Sequence, residues 1–285
     1  PLPCIKPNQT AAKTNLKGQQ TLAISAAIAT ASINVAHATT LQDTVKSEVR
    51  SDKNKARDEF RNPQQTLNFF GLSKDMNVVE IWPGGGWYTE IIAPMVAEKG
   101  KFVAAHFPSG TDIGYFNKHL PKYQAKIKNT PALSKTEITE FHPKFSPEMA
   151  PAGSADMVLT FRNLHNFYMT SDEMMQSTLD AAFKALKPGG VLGVVDHKLP
   201  ENLDTEAFRQ SGYIKQSVVE AAAKKAGFKL VASSGVNANP LDQAQYEKGV
   251  WTLPPTLALG NKDKAKYLSI GESNRFTLKF VKPKL

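Results

Sequence analysis

Cysteine is almost absent from this sequence, because the 285 residues include only Cys4. A disulfide within the chain and a zinc site made of several cysteines are therefore both excluded. Long apolar runs are also lacking. The most apolar stretch near the start, residues 21–36, is interrupted by Ser, Thr and Asn and is too short and polar for a membrane span.

Acidic residues are the minority charge, with 26 acids against 35 lysines and arginines and a formal net charge of +9. The basic residues are spread along the chain and occur only in short pairs such as Lys224-Lys225. No run interleaves them with aromatics, so a solvated basic surface is favoured and no nucleic-acid partner is predicted. The 41% hydrophobic content predicts one sizeable α/β domain.

The first 38 residues differ from the rest. Three lysines without any acid precede the apolar stretch 21–36, and Ala36-His37-Ala38 follows with small residues at the positions that a signal peptidase reads. These are the three parts of a secretory signal. We expect residues 1–38 to be removed after Ala38, leaving an exported or periplasmic domain, 39–285, without a membrane span. The alternative is a disordered tail or weak helix on a cytoplasmic protein.

Strand signals alternate with helix-length segments through the remaining chain. Such alternation predicts a doubly wound, mostly parallel α/β sheet with helices on both faces, whose last strand, alternating at period two, runs antiparallel. Seven strands are expected, at 77–82, 101–106, 137–141, 156–161, 191–196, 228–232 and 275–282.

Capping residues locate the helices. Pro63 is expected to open a helix that Gly71 ends, and Ser171 or Asp172 to cap another. Residues 237–274 have weak periodicity and are expected to form a long excursion over the active-site face. Helices are predicted within 41–72 with a break at 62–63, and at 88–97, 111–126, 171–186 and 216–226.

The strongest chemical signal is a glycine-rich bend between the first strand and the next helix. Glu80 is an acid within the first strand, and Pro83-Gly84-Gly85-Gly86 begins three residues after it. Glycines allow a sharp turn and a close approach of the backbone to a ligand, and the following helix directs free N–H groups at it. A ligand-binding loop is favoured over a simple turn because the first strand–helix turn of such a sheet lies at its binding edge.

The bend resembles motif I of class I S-adenosylmethionine-dependent methyltransferases. Glu80 matches the acid, Gly84 and Gly86 match the second and third glycines, and Trp82 stands where the first glycine usually is. The segments 83–96 and 186–198 resemble more specifically a group of exported bacterial predicted methyltransferases, as do 61–72, 154–167 and 275–283. The resemblance covers residue 52 onward. It implies a Rossmann-like methyltransferase fold and S-adenosyl-L-methionine as the cofactor.

The same resemblance implies which residues would bind the cofactor. Most members carry an acid at the end of the second strand that binds the ribose hydroxyls, whereas this chain carries His106, and a neutral imidazole has only one acceptor. Tyr88 and the aromatic at the end of the third strand have core packing as an alternative role. The full implied set is Glu80, Pro83, Gly84, Gly85, Gly86, Tyr88, His106, Phe107, Glu140, Phe141 and Phe161.

Polar residues at the end of the fourth strand are the catalytic candidates. The resemblance implies that Arg162, Asn163 and His165 would face the transferring methyl group, and His165 would act as a general base because imidazole titrates near neutral pH. Their alternative role is structural. Asp196-His197 offers a second acid–imidazole pair at the end of the fifth strand, where simple hydrogen bonding is the alternative. No tight ligand spacing is present, and no metal is predicted.

Three functions compete at this point. The first is methyl transfer to a small molecule or a component of the cell envelope. The second is a non-catalytic binding or scaffold protein, favoured by the export signal, since the cofactor is made in the cytoplasm, and by His106. The third, a nicotinamide oxidoreductase, is disfavoured because the bend lacks G-x-G-x-x-G. No sequence feature indicates an oligomeric state.

Overall fold

A computed structural model describes residues 39–284. The predicted export signal, its cleavage position and Cys4 lie outside the described residues. Within the described part, no helix combines the length and the apolar character needed to cross a bilayer.

One mixed sheet forms the centre of the fold. Its strands are β1 (Asn77–Ile81), β2 (Lys101–His106), β3 (Glu137–Glu140), β4 (Ala155–Phe161), β5 (Leu186–Leu199), β6 (Ile214–Lys215), β7 (Lys229–Ser234) and β8 (Arg275–Val281). The order is β3-β2-β1-β4-β5-β8-β7, and the short β6 pairs with β5. β1 to β5 pair in parallel, whereas β8 runs antiparallel to β5 and β7. The predicted seven strands and the antiparallel last strand are confirmed, and β6 is an additional strand.

Helices cover both faces of this sheet. They are α1 (Leu41–Lys46), α2 (Asp52–Lys55), α3 (Asp58–Arg61), α4 (Pro63–Phe70), α5 (Thr89–Val96), α6 (Gly114–Asn129), α7 (Leu164–Thr170), α8 (Asp172–Ala185), α9 (Gln216–Lys225) and α10 (Lys264–Ile270). Short 3-10 turns occur at Pro131–Leu133 and Gly249–Thr252.

The predicted helix boundaries have the expected local causes. Asn62 adopts a left-handed φ of 41° and separates α3 from α4, whose first residue is Pro63. Gly71, at a φ of 85°, ends α4 and donates its N–H to the Leu67 carbonyl at 3.1 Å. The Ser171 hydroxyl accepts a hydrogen bond from the Met174 N–H at 3.2 Å and caps α8.

The hydrophobic core lies on both sides of the sheet, because successive side chains of a strand point to opposite faces. Val78 of β1 belongs to the core that includes Ile92 of α5. Its neighbours Val79 and Ile81 belong to the core that includes Leu179 of α8. Burial of both faces explains why β1 is a nearly continuous apolar run rather than an alternating one.

Two stretches differ from the sequence expectation. α7 begins at Leu164, separated from the end of β4 by two residues, although the sequence was expected to become helical only at Ser171. Phe167 and Tyr168 are buried residues of this helix. β5 begins at Leu186 rather than at Val191, because Leu186 already pairs with Ala155 of β4. The register shifts between this pair and the next one, Met157 with Val191, so the glycine turn forms an irregularity within the strand.

The predicted excursion, residues 237–274, is held by a small core of its own. Tyr213, Ala244 and Val250 pack together there with the end of β5. The Tyr213 hydroxyl donates to the carboxylate of Asp242, with its oxygen atoms at 3.0 and 3.1 Å. This anchoring fixes the excursion at the carboxyl edge of the sheet, where Val250 contributes to the wall of a cavity.

Candidate functional site

The glycine bend connects β1 to α5 through three residues with left-handed backbone. These are Trp82 at a φ of 47°, Gly84 at 59° and Gly86 at 78°. A Cβ atom added at Gly84 or Gly85 would meet no atom within 4 Å, so open space lies in front of both residues. The bend therefore exposes bare backbone to that space, which is the property that a ligand-binding loop requires.

Glu80 lies beneath the bend and is only 3% exposed. The Thr89 hydroxyl of α5 approaches its carboxyl oxygen at 3.4 Å. Burial raises the pKa of Glu80 to about 8, and this effect outweighs the opposing contributions of Thr89 and nearby basic groups. The Glu80 carboxyl is therefore mostly protonated at neutral pH and adds little negative charge to the site.

Trp82 occupies the position of the first motif glycine, and its side chain is buried beside the bend. Its indole N–H donates to the Phe141 carbonyl at 2.8 Å. The ring centroids of Trp82 and Phe167 are 4.2 Å apart, and those of Trp82 and Phe107 are 5.0 Å apart. The indole thus occupies space above the ends of β2 and β3, the region in which the resemblance places adenine.

His106 ends β2 and is fully buried. Its Nδ1 accepts a hydrogen bond from the Phe107 N–H at 2.8 Å, and its Nε2 lies 3.0 Å from the Gly84 carbonyl oxygen. Burial lowers the pKa of His106 to about 4, so the ring is neutral and Nε2 carries the proton that it donates to Gly84. Both nitrogens are therefore engaged, and His106 offers no free acceptor to a ribose.

Two cavities meet at the bend. The loop cavity, of about 360 Å³, lies beside the glycines, and the large cavity, of about 820 Å³, extends over the ends of β4 and β5. Both are lined by Trp82, Gly84, Arg162 and Asn163. A ligand could span both, because these walls are shared.

The cavities bring together most of the site residues expected from the sequence. The loop cavity is lined by Glu80, Pro83, Gly84, Gly85, Tyr88, Phe161, Arg162 and Asn163. The large cavity is lined by Gly84, Phe107, Arg162, Asn163 and His165. In the described part of the chain, neither wall includes Gly86, His106, Glu140 or Phe141.

The expected aromatic contacts have other partners. Tyr88 and Phe161 stack on each other with their ring centroids 3.5 Å apart, in the wall of the loop cavity. Phe141 is fully buried, and the exposed Glu140 carboxylate accepts a hydrogen bond from the Ser109 hydroxyl at 2.5 Å. Phe141 therefore acts in packing here, whereas Trp82 and Phe107 are among the aromatic residues that reach the large cavity.

Asn163 joins the ends of β1 and β4. Its side-chain amide donates to the carbonyls of Trp82 at 2.9 Å and Ile81 at 3.2 Å. These contacts fix the start of the glycine bend relative to β4. Asn163 is thus placed to position the bend.

His165 forms a buried dyad with Asp196. His165 Nδ1 lies 2.6 Å from Asp196 Oδ1, and the His165 backbone N–H donates to Oδ2 at 3.1 Å. His165 lines the large cavity, and its Nε2 has no hydrogen-bond partner within residues 39–284. The carboxylate therefore orients the ring and leaves Nε2 available to a ligand, the arrangement of a positioned base.

His197 lies next to this dyad. Its Nδ1 is 2.5 Å from the Ser273 hydroxyl, and its ring centroid is 5.0 Å from that of His165. Candidate ligand atoms of His165, Asp196 and His197 lie within 4.8 Å of one another. However, burial, the adjacent His165 and the guanidinium groups of Arg275, Arg162 and Arg61 lower the pKa of His197 well below its ordinary value. The same positive surroundings disfavour a metal cation.

Four arginines surround Glu272 in the wall of the large cavity, a feature that the sequence analysis missed. Arg57 Nε donates to Glu272 Oε1 at 2.5 Å, Arg275 bonds the other oxygen, and Arg61 Nε lies 3.5 Å from it. The fourth, Arg162, makes no side-chain ion pair in the described part. Burial tends to raise the pKa of Glu272, but the arginines outweigh it and hold that pKa at about 2.

Glu80 makes a testable contribution to pH-dependent stability. The folded protein retains the Glu80 proton up to about pH 8, whereas an unfolded chain loses it near the ordinary pKa of 4.5. Stability from the protonated carboxyl is therefore complete below pH 4.5 and is lost as the pH rises toward 8. Between these limits, wild type should lose unfolding free energy relative to Glu80→Gln at about 1.4 kcal/mol per pH unit.

Urea unfolding at several pH values between about 5 and 8 measures this difference. Glu98→Gln, at an exposed position, controls for the loss of a carboxyl elsewhere. A constant gap between wild type and Glu80→Gln over this range would contradict a protonated Glu80.

Comparisons with known proteins agree on the fold. No family model matches the sequence, and no curated protein matches it either. A SAM-dependent methyltransferase from Aquifex aeolicus is 17% identical, with 86% of this chain and 99% of that chain covered and a TM-score of 0.53. A putative sarcosine dimethylglycine methyltransferase from Galdieria sulphuraria is 11% identical, with 81% and 86% covered and a TM-score of 0.55.

The [4+2]-cyclase SpnF is also similar, at 14% identity, with 86% of this chain and 93% of that chain covered and a TM-score of 0.57. Identities this low establish the likeness of the fold and not of the activity. The chain has the Rossmann-like fold that S-adenosylmethionine-dependent methyltransferases share.

Proposed function

We propose that this protein is an S-adenosylmethionine-dependent methyltransferase that acts on a small molecule. The observation that carries the proposal is the junction of two features at one sheet edge. The open glycine bend leads into a large cavity, and the free Nε2 of His165 belongs to the wall of that cavity.

The residues around the bend fit the amino acid half of the cofactor better than its ribose. Open space in front of Gly84 and Gly85 accepts a ligand against the backbone, and Glu80 lies in the same wall. Because His106 has no free acceptor, the ribose hydroxyls need another partner than in most class I members. When bound, S-adenosylmethionine supplies an electrophilic methyl group on a sulfonium.

His165 would remove a proton from the molecule that accepts the methyl group. A hydroxyl that is to be methylated must lose its proton, and the His165 Nε2 that faces the cavity can accept it. Asp196 bonds Nδ1 and so orients the ring and stabilises the positive charge that it then gains. Phe167 and Trp251 line the cavity and limit the access of water to the acceptor.

A second candidate function is a binding protein that has kept the fold without methyl transfer. Trp82 favours it, because the indole fills part of the place expected for adenine and is held there by its bond to Phe141. The predicted export agrees with this candidate, since an exported enzyme would need the cofactor outside the cytoplasm. Under this hypothesis the large cavity binds its ligand directly, and the bend serves as part of the wall.

Cofactor binding is the first test. Calorimetry should detect binding of S-adenosylhomocysteine to wild type, and Gly85→Leu should weaken it by at least about tenfold, because the new side chain would enter the loop cavity. Gly85 lacks the left-handed φ of its neighbours, so the substitution does not strain the backbone.

Gly235→Leu is the matched control, since a Cβ at Gly235 also meets only open space and the residue is remote from the bend. No heat from the folded wild type at millimolar ligand would count against the methyltransferase proposal.

Trp82→Gly separates the two candidates. If the indole blocks the adenosyl group, this variant should bind S-adenosylhomocysteine at least about tenfold more tightly than wild type does. Glycine also suits the left-handed φ of 47° at this position. Trp251→Ala, which removes another indole from the wall of the large cavity, controls for added volume. Equal affinities in the two variants would remove the argument for a blocked site.

The His165 dyad generates a prediction about turnover. With radiolabelled S-adenosylmethionine and the best acceptor from a panel of phenols, His165→Gln should lower kcat by about 10²–10⁴-fold without changing cofactor affinity. Asp196→Asn should also lower kcat, because the ring loses its orientation. His119→Gln, outside the cavity wall, is the control. Unchanged turnover in His165→Gln would contradict the role of a base.

A further inference from the structure

The wall of the large cavity carries more positive charge than the protein itself neutralises. Arg57, Arg61, Arg162 and Arg275 line it, and Glu272 is the single carboxylate among its lining residues in the described part of the chain. Asp196 lies behind this wall and is engaged by His165. Like charges at close range repel strongly where water is excluded, so this arrangement favours an anion in the cavity.

Two of these guanidinium groups have unused donors. Arg61 is 4% exposed, and its Nε and Nη1 have no hydrogen-bond partner within residues 39–284. The Arg162 side chain has neither a hydrogen bond nor an ion pair there. Buried donors without an acceptor, such as those of Arg61, are costly. Repulsion adds to burial in both cases and lowers the pKa of Arg162 to about 10.

The backbone of Arg162 is also in an unfavourable conformation. Its φ is 58°, a left-handed conformation that is unfavourable for a residue with a long side chain. The Arg162 N–H donates to the Val195 carbonyl at 2.7 Å and holds this conformation at the end of β4. Strain of this kind concentrates at functional sites, where the surrounding structure maintains it.

Several aromatic residues also line the large cavity. Phe107, Phe116 and Phe167 line it together with Trp82, and Trp251 contributes from the excursion. A ligand of this cavity therefore needs an anionic group for the arginines and a flat apolar body for the rings.

We propose that the large cavity binds a small aromatic carboxylic acid whose carboxylate lies between the guanidinium groups of Arg61 and Arg162. Two planar guanidinium groups match the oxygen atoms of one carboxylate. This inference concerns the class of ligand that the cavity binds. That the acid is also the methyl acceptor, with a hydroxyl near His165, rests on the proposed function.

The same carboxylate chemistry could come from the amino acid end of the cofactor, because Arg61 and Arg162 also line the loop cavity. We assign it to the acceptor because Arg275, Glu272 and His165 line the large cavity and not the loop cavity. The charged cluster thus continues away from the glycine bend.

Calorimetry with 2-naphthoate and its uncharged isostere 2-naphthamide tests the proposal on the folded full-length domain. Wild type should bind 2-naphthoate at least about tenfold more tightly than 2-naphthamide. Arg162→Gln should reduce naphthoate affinity at least about tenfold and leave naphthamide affinity unchanged. Because the Arg162 side chain has no internal partner, this variant should fold, which circular dichroism verifies; the comparison of the two probes on wild type stands without it.

Arg209→Gln is the matched control, since it removes one guanidinium that pairs with Asp172, Glu206 and the Tyr168 carbonyl and lines neither cavity. Equal affinity of wild type for the two probes, or equal losses in Arg162→Gln and Arg209→Gln, would overturn the proposal.

Saturating S-adenosylhomocysteine distinguishes the two sources of the carboxylate. Naphthoate affinity that survives it supports an acceptor site, whereas complete competition assigns the arginines to the cofactor and overturns the acceptor assignment. Charge-selective, Arg162-dependent naphthoate binding in a protein that does not bind S-adenosylhomocysteine would support the acid site while removing the methyltransferase proposal.

Discussion

The parallel pairing of β1 with β4, and of β4 with β5, is the constraint on which the site depends. Parallel neighbours end at the same edge of a sheet, so residues far apart in sequence meet there. The glycine bend after β1, Arg162 after β4 and Asp196 in β5 are neighbours for this reason alone. Asn163 secures the arrangement, because its amide bonds the backbone where β1 ends.

Electrostatics divides this edge into two regions of different character. Beneath the bend, burial keeps the Glu80 carboxyl protonated, so the residue that matches the motif acid contributes little charge at neutral pH. Toward β8, Glu272 stays ionised because several guanidinium groups surround it. Arg57, Arg61 and Arg275 share the single carboxylate of Glu272, and Arg162 has no ion-pair partner in the described part of the chain. A ligand would meet bare backbone at the bend and net positive charge from Arg57, Arg61 and Arg162, which line both cavities.

Local signals in the sequence were sufficient for the framework. The caps at Gly71 and Ser171 act through neighbouring backbone, and the bend at Gly84 lies where the strand–helix pattern places it. Contacts between segments that are far apart in sequence could not be predicted from such local signals. Arg57 and Glu272 are 215 residues apart, and their meeting depends on the path of the whole excursion. The direction of Trp82 likewise depends on the rings that surround it.

The hydrogen bond from His106 to the Gly84 carbonyl has a consequence for any molecule that enters the loop cavity. A glycine-rich turn in isolation samples many shapes, and ordering it on association would consume part of the affinity. Here a rigid imidazole, wedged between β2 and the turn, already restricts those shapes. The loop is therefore preorganised, because the backbone of the turn loses its conformational entropy when the protein folds rather than when a ligand binds.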